Sequence, residues 1–271
     1  MMRTIDHATL CASAETHRRG WENAAVLDVF DHVIVRASDF EASRRFYELA
    51  LTQLDFGEPY REEGFVEWED LGIAVTEDDR PVTRNVHIAL AASSREAVDA
   101  WWRAMTDAGH PDDGAPGPRP QYSPAYYGAF VRDPGGNSVE AVHHDSPRDD
   151  GALIDHLWIG VADLTAAKRF YEMIAAVCGF RMHEGRWTHF YRENVSFTIV
   201  DDGRPPTENV HLAFPAPDNE TVDEFHRVAV AGGYQENGPP GERPVYHAGY
   251  YGAFVLDPDA NNVEAVCHNR D

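Results

Sequence analysis

The sequence predicts an α+β protein assembled from four βαβββ units, and three observations carry that expectation. First, landmarks recur at one offset of 124 residues: Tyr126-Tyr127-Gly128-Ala129-Phe130-Val131 returns as Tyr250-Tyr251-Gly252-Ala253-Phe254-Val255, and Asn85-Val86-His87 as Asn209-Val210-His211. Arg45-Phe46-Tyr47-Glu48 likewise returns as Arg169-Phe170-Tyr171-Glu172. A repeat this long is a whole small domain, not a solenoid unit. Second, each copy reads strand, helix, then short strands, and does so twice. Third, a length of 271 residues suits two domains, each large enough to bury a core. The expected division is an N-terminal extension at 1–28, a first domain at 29–148 and a second at 149–271.

The elements follow in order. Asp31 to Ala37 is a β-branched run suited to a strand. Asp39 stands where an N-cap belongs, ahead of apolar residues at helical spacing from Phe40 to Leu51. Short strands are expected near 64–68 and 72–76. The pattern restarts with a strand at 86–91 and a helix at 94–108. A Gly/Pro-rich stretch from Pro111 to Pro120 reads as a loop. Strands at 126–131 and 138–143 flank Asp133-Pro134-Gly135-Gly136-Asn137, a hairpin turn in which Asn137, like Asn261 in the second copy, is expected to take a left-handed conformation. The second copy follows suit from Ile154 to Cys267, with helices at 164–177 and 219–231. Asp145 to Gly151 is a polar linker.

Composition narrows the function classes. A formal net charge of -23 argues against nucleic acid and anionic membranes, both of which demand basic patches. Three scattered cysteines without CxxC spacing do not make a disulfide framework. No apolar run approaches a membrane span, and no secretory h-region opens the chain, so a cytoplasmic location is expected.

Three polar positions recur on expected strands: His32, His87 and Glu140, then His156, His211 and Glu264. Two imidazoles and one carboxylate form the ligand set of many open-sided metal sites, including those of non-haem Fe(II) oxygenases. A strand histidine is ordinarily a hydrogen-bonded core or surface residue. Retention in register beside a paired carboxylate sets these apart. Spacing leaves open whether His32 or His156 joins His87 and Glu140.

Two βαβββ units per copy, a His on the first strand of each unit and a Glu on the last resemble the vicinal-oxygen-chelate superfamily. That group holds glyoxalase I, extradiol dioxygenases, fosfomycin-modifying enzymes and bleomycin-binding proteins. The closing hairpin Tyr-Tyr-Gly-Ala-Phe-Val-x-Asp-Pro is similar to that of its small glyoxalase-like members. The resemblance spans residues 29 to 268 and implies two tandem domains with cup-shaped mixed sheets. It also implies a divalent metal, Fe(II) favoured with Zn, Ni or Mn as the other choices, and a small-molecule substrate chelated through vicinal oxygens. Enzymatic turnover is the leading expectation, with an extradiol-type dioxygenase as the Fe(II) branch and lyase or isomerase chemistry as the other. A drug-sequestering, bleomycin-resistance-like protein without turnover is the alternative.

Glyoxalase I would add a carboxylate on the last strand of the first unit, and neither Gly72 to Thr76 nor Val195 to Val200 holds one. Extradiol enzymes add a tyrosine about ten residues before the Glu ligand, where this chain has Phe130 and Phe254. Tyr126, Tyr127, Tyr250 and Tyr251 are the nearby substitutes, with Tyr250 the favoured one. His183, His189 and His247 occur only in the second copy and are the acid–base candidates, which points to the second half as the catalytic one. Arg119 and Arg243 are candidate anchors for an anionic substrate, and Trp68, Trp187, Phe190 and Tyr191 are candidate walls for a flat or aromatic one. Monomer and homodimer both remain open.

Overall fold

The computed structural model describes residues 29–145, 152–192 and 195–269. The expected extension at 1–28 and residues 146–151 of the expected linker lie outside the described residues. The first unit comprises β1 (His32–Ala37), α1 (Phe40–Thr52), β2 (Tyr60–Glu62), β3 (Phe65–Trp68) and β4 (Leu71–Val75). The second comprises β5 (Val86–Ala91), α2 (Arg95–Asp107), β6 (Asp112–Pro118), β7 (Tyr126–Arg132) and β8 (Ser138–His144). The third runs through β9 (Ile154–Gly160), α3 (Leu164–Cys178), β10 (Arg181–Glu184), β11 (Thr188–Arg192) and β12 (Val195–Val200). The fourth runs through β13 (His211–Pro215), α4 (Asn219–Ala231), β14 (Glu236–Glu242), β15 (Tyr251–Leu256) and β16 (Asn262–Cys267). Each helix opens on an Asp or Ser (Asp39, Ser94, Asp163, Asp218) whose side chain accepts a first-turn backbone N–H, an N-cap that satisfies a donor the helix cannot.

The units assemble across the repeat. One eight-stranded sheet has the order β14-β15-β16-β13-β1-β4-β3-β2, and the other β10-β11-β12-β9-β5-β8-β7-β6. The first unit therefore pairs with the fourth, and the second with the third. At each junction the opening strands meet antiparallel, β1 against β13 and β5 against β9. The exchange is fixed where the chain passes from one sheet to the other. There Arg84 and Glu208 trade backbone hydrogen bonds of 3.0 Å each way, and the Asn85 and Asn209 amides donate to the Pro206 and Val82 carbonyls. Both asparagines sit at positive φ, 61° and 58°, a conformation Asn tolerates better than most residues. Buried Thr83 and Thr207 complete the crossing by donating to the Asn209 and Asn85 carbonyls.

One continuous core takes side chains from all four units, including Phe46, Trp101, Phe170 and Phe225 of the helices and Phe197 and Phe214 of the sheets. The cup faces carry only small separate apolar groups. Tyr47 and Tyr171, at helical positions, donate to the turn carboxylates of Asp133 and Asp257, which ties α1 and α3 to the β7–β8 and β15–β16 hairpins.

Three sequence expectations need correction. The stretch read as a loop at 111–120 contains β6, as its counterpart contains β14. Both are bulged edge strands, where proline is tolerated because no outer neighbour needs its missing N–H. Asn137 and Asn261 are not the left-handed turn residues; Gly136 and Ala260 take positive φ. The two asparagines are instead buried, accepting the Val86 and Val210 N–H groups at the start of each histidine-bearing strand. Trp68 and Phe190 belong to the main core and do not line a cup. Cys178 and Cys267 are free and buried. No helix among the described residues is long and apolar enough to cross a membrane.

Candidate metal centres

The pairing of units decides which ligand candidates meet. On β1, His32, Ile34 and Arg36 alternate onto the cup face, opposite the core-facing Val33 and Val35. Ile34 is the partner of His211 on β13, and Ala213 of β13 is the partner of Glu264 on β16. His32, His211 and Glu264 consequently converge, each offering a ligand atom within 4.8 Å of the others (site one). In the other sheet His87, Glu140 and His156 do the same (site two). Each cluster thus takes one histidine from one repeat and a His–Glu pair from the other. His156 is the histidine that joins His87 and Glu140.

In site one the Nε2 atoms of His32 and His211 stand 3.1 Å apart, and His211 Nε2 lies 3.1 Å from Glu264 Oε2. Two nitrogens each about 2.1 Å from one ion, at right angles, would be roughly 3.0 Å apart. His32 Nδ1 sits 2.8 Å from Asp31, so a proton held there leaves the Nε2 lone pair facing the cluster. His156 has the same support from Asp155 at 2.7 Å. Tyr250 and Tyr126 donate to Glu264 and Glu140 at 2.6 and 2.8 Å. Oε1 of Glu140 is buried without a hydrogen-bond partner among the described residues. A buried carboxylate oxygen left bare, in a ring of lone-pair donors, is what a cation would satisfy. The donor set fits a divalent metal.

The glycines of the repeated Tyr-Tyr-Gly make room for these carboxylates. A Cβ on Gly252 would come within 2.6 Å of Glu264 Oε1, and one on Gly128 would collide with Glu140. Burial pushes Glu264 up to about 7 and Glu140 up to about 8. Burial also lowers His87 to about 3, with Arg204 adding to the effect, and holds His211 well below its usual range with the His32 ring alongside. Burial acts against a charge on His32 too, yet the Asp31 carboxylate keeps that imidazole above its ordinary value.

The three acid–base candidates and Tyr250 do not form one group. His247 and Tyr250 join site one: His247 Nε2 is 2.7 Å from His268, which is 2.7 Å from Asp31, which in turn holds His32. His183 and His189 are cross-strand partners on β10 and β11 of the other sheet, and His189 bonds Thr198 at 2.7 Å. β12 intervenes between His189 and the strand of His156. The expectation of a catalytic second half therefore fails, because unit exchange divides that half between two sheets. Tyr127 and Tyr251 point to the helices, bonding Asp99 and Asp223. Arg119 and Arg243 line the two cups, each lying over a phenylalanine and bonded to a carbonyl of its own edge strand, Ala115 of β6 and Pro239 of β14.

Site one opens into a cavity of about 430 Å³ walled by Arg36, Arg80, Arg243, Tyr246 and Phe254. Site two opens into one of about 270 Å³ that includes Tyr122, Phe130, Trp158 and Arg204. Trp187 closes on Trp158 at 5.1 Å between ring centroids. Sequence reasoning missed Arg80 and Arg204, although Arg-Pro-x-Thr-x-Asn-Val-His recurs at the same offset as the other landmarks.

The sequence matches the Glyoxalase/Bleomycin resistance protein/Dioxygenase superfamily twice, over residues 29–141 and 153–265. Among solved structures, glyoxalase I from Zea mays is similar in fold, with a TM-score of 0.64 at 16% identity, over 89% of this chain and 92% of that one. A putative dioxygenase from Bacillus subtilis has a TM-score of 0.59 at 11% identity, covering 91% of this chain and 87% of its own. A glyoxalase/bleomycin resistance protein from Albidiferax ferrireducens is 30% identical, but over only 42% of this chain and 98% of that one, with a TM-score of 0.39. No curated protein matches the sequence.

Proposed function

The chain belongs to the Glyoxalase/Bleomycin resistance protein/Dioxygenase superfamily, and from that membership and its two clusters we propose a divalent-metal-dependent enzyme that acts on small molecules chelated through neighbouring oxygens. The observation that carries this reading is the convergence, twice over, of two imidazoles and a carboxylate with supporting partners behind them. His32, His211 and Glu264 would hold one ion, and His87, His156 and Glu140 the other, with Fe(II) favoured by the ligand set and Zn, Ni or Mn as the other choices. A bound ion supplies Lewis acidity to the chelated oxygens and, if it is iron, a place for O2.

The protein's own groups do the rest. Asp31 and Asp155 fix the tautomers of His32 and His156, and Tyr250 and Tyr126 aim the carboxylates. His247 is the proton-handling group at site one, linked inward through His268 and Asp31. On the site-two sheet, half-buried His189, kept below its usual pKa by burial with His183 and His156 adding to the effect, would be the proton-accepting group, with His183 its cross-strand partner. Both sites lack a carboxylate on the cup face of β4 or β12, so the extradiol-type dioxygenase is preferred to glyoxalase I chemistry.

The test is oxygen uptake by protein purified and loaded with Fe(II) under anaerobic conditions, screened against catechols. Uptake with ring-opened product supports the dioxygenase branch. Turnover only with Zn, Ni or Mn transfers the reading to lyase or isomerase chemistry. Saturable binding without product, unaffected by chelators, would replace it with a sequestering protein.

A further inference from the structure

We propose that site one is built for an anionic substrate, with Arg36 and Arg80 forming a pocket for a carboxylate or phosphate at the end away from the chelated oxygens. The proposal deepens the metal-chelating reading of the same site and rests on it.

Arg36 carries the argument. It is only 7% exposed, on the same face of β1 as His32 and Ile34. Its guanidinium makes one hydrogen bond, from Nη1 to the Val75 carbonyl at 3.2 Å, and among the described residues no carboxylate lies within salt-bridge range. A buried guanidinium without a counter-ion is strongly unfavourable unless something else pairs it. The side chain lines the cavity that also exposes His211. Arg36 lies two residues beyond Ile34, the strand partner of His211, which is roughly 7 Å along the strand. One small molecule can span that distance.

The rest of the wall agrees. Arg80 stands beside Arg36, held by Glu77 at 3.1 Å. Two carboxylates, Glu77 on Arg80 and Asp79 in the wall, stand near the three guanidinium groups of Arg36, Arg80 and Arg243, and neither is within salt-bridge range of Arg36. In a chain with 46 acidic residues against 23 lysines and arginines, a cavity wall of the opposite balance is not background composition. Guanidinium groups match carboxylate and phosphate oxygens with paired N–H donors.

Site two lacks the device. The position equivalent to Arg36 is Gly160, where a Cβ would come within 2.9 Å of the Pro205 carbonyl oxygen. The equivalent of Arg80 is Arg204, which is held by Asp202 and lies over Trp158. The pocket for a distal anion belongs to site one alone.

The test uses metal-loaded full-length protein carrying Glu140→Gln, so that site one reports alone. Calorimetry compares two matched pairs: L-malate with L-lactate, which differ in a distal carboxylate, and glycerol 3-phosphate with glycerol, which differ in a distal phosphate. At least one anionic member should bind about tenfold tighter than its partner or better, and Arg36→Met should abolish that preference with metal content unchanged. The pair that shows the preference tells carboxylate from phosphate. Equal affinities within both pairs, or a preference that survives Arg36→Met, would overturn the proposal. A second arm adds inorganic phosphate to metal-free protein. Protection against heat that depends on Arg36 upholds the anion pocket even if the metal fails to load, in which case the chelation reading falls alone; no Arg36-dependent protection counts against the pocket.

Discussion

Sites one and two share ligand types, strand positions, a tyrosine on the carboxylate and an aspartate behind one histidine, yet they differ in the outer supports and in part of the cup wall. Behind His32 stands a chain of Asp31, His268 and His247, whereas behind His156 stand Asp155 and His144, and Ser123 occupies the place of His247. One cup has Arg36 as a third arginine beside Arg80 and Arg243, whereas the other has Arg119 and Arg204 among the rings of Tyr122, Tyr126, Phe130 and Trp158. Ligands inherited from a duplication stayed in register while walls and supports diverged. The sites are a matched pair in their candidate ligands and an unmatched pair in their walls.

The comparison can be broken at several points. The largest expected effect comes from Gly128→Ala, which drives a methyl group into Glu140. It should cost about 1–3 kcal/mol of stability and empty site two while leaving site one loaded. Gly252→Ala should mirror it at site one, less severely because the approach to Glu264 is longer. Thermal unfolding with metal analysis checks both.

Asp31→Asn should weaken metal binding at site one about 10–100-fold, and Asp155→Asn should do the same at site two. The Asp31 change should be the larger, since it also detaches His268 and His247. Equal losses would show that the longer chain behind His32 has no bearing on the metal.

The pH dependence follows from the raised carboxylates. A proton on Glu264 or Glu140 competes with the ion, so affinity should rise with pH, by up to about tenfold per unit below the pKa, and level off above it. Both plateaus should lie well above the ordinary carboxylate range, at neutral pH or higher, because burial pushes both acids up. Competition titrations from pH 5.5 to 9 would show the two midpoints. The smallest effect belongs to Thr83→Val, which removes the hydroxyl's hydrogen bonds to the Asn209 carbonyl and from the Arg36 N–H and should cost about 1–2 kcal/mol in denaturant unfolding.

The sequence made the units and the six ligand positions legible because both are periodic: helical and strand patterns repeat, and the ligands recur in register. Which histidine joins which carboxylate was not legible. That depends on the crossing at Asn85 and Asn209, and a repeat aligned on itself is silent about whether a unit pairs within its copy or across it. β6 and β14 were hidden because edge strands tolerate the Gly/Pro composition of a loop. Arg36 was missed for the opposite reason to the ligands. Its counterpart is Gly160, and attention to what recurs discards what differs. On the proposed function, substrate choice would reside in those differences.

The most direct test of the central claim is metal stoichiometry per chain in the wild type, Glu264→Gln, Glu140→Gln and the double variant, each purified without a histidine tag. Two separate sites predict two equivalents in the wild type, one in either single variant and none in the double. Loss of all metal from one single variant, or metal retained by the double variant, would contradict it.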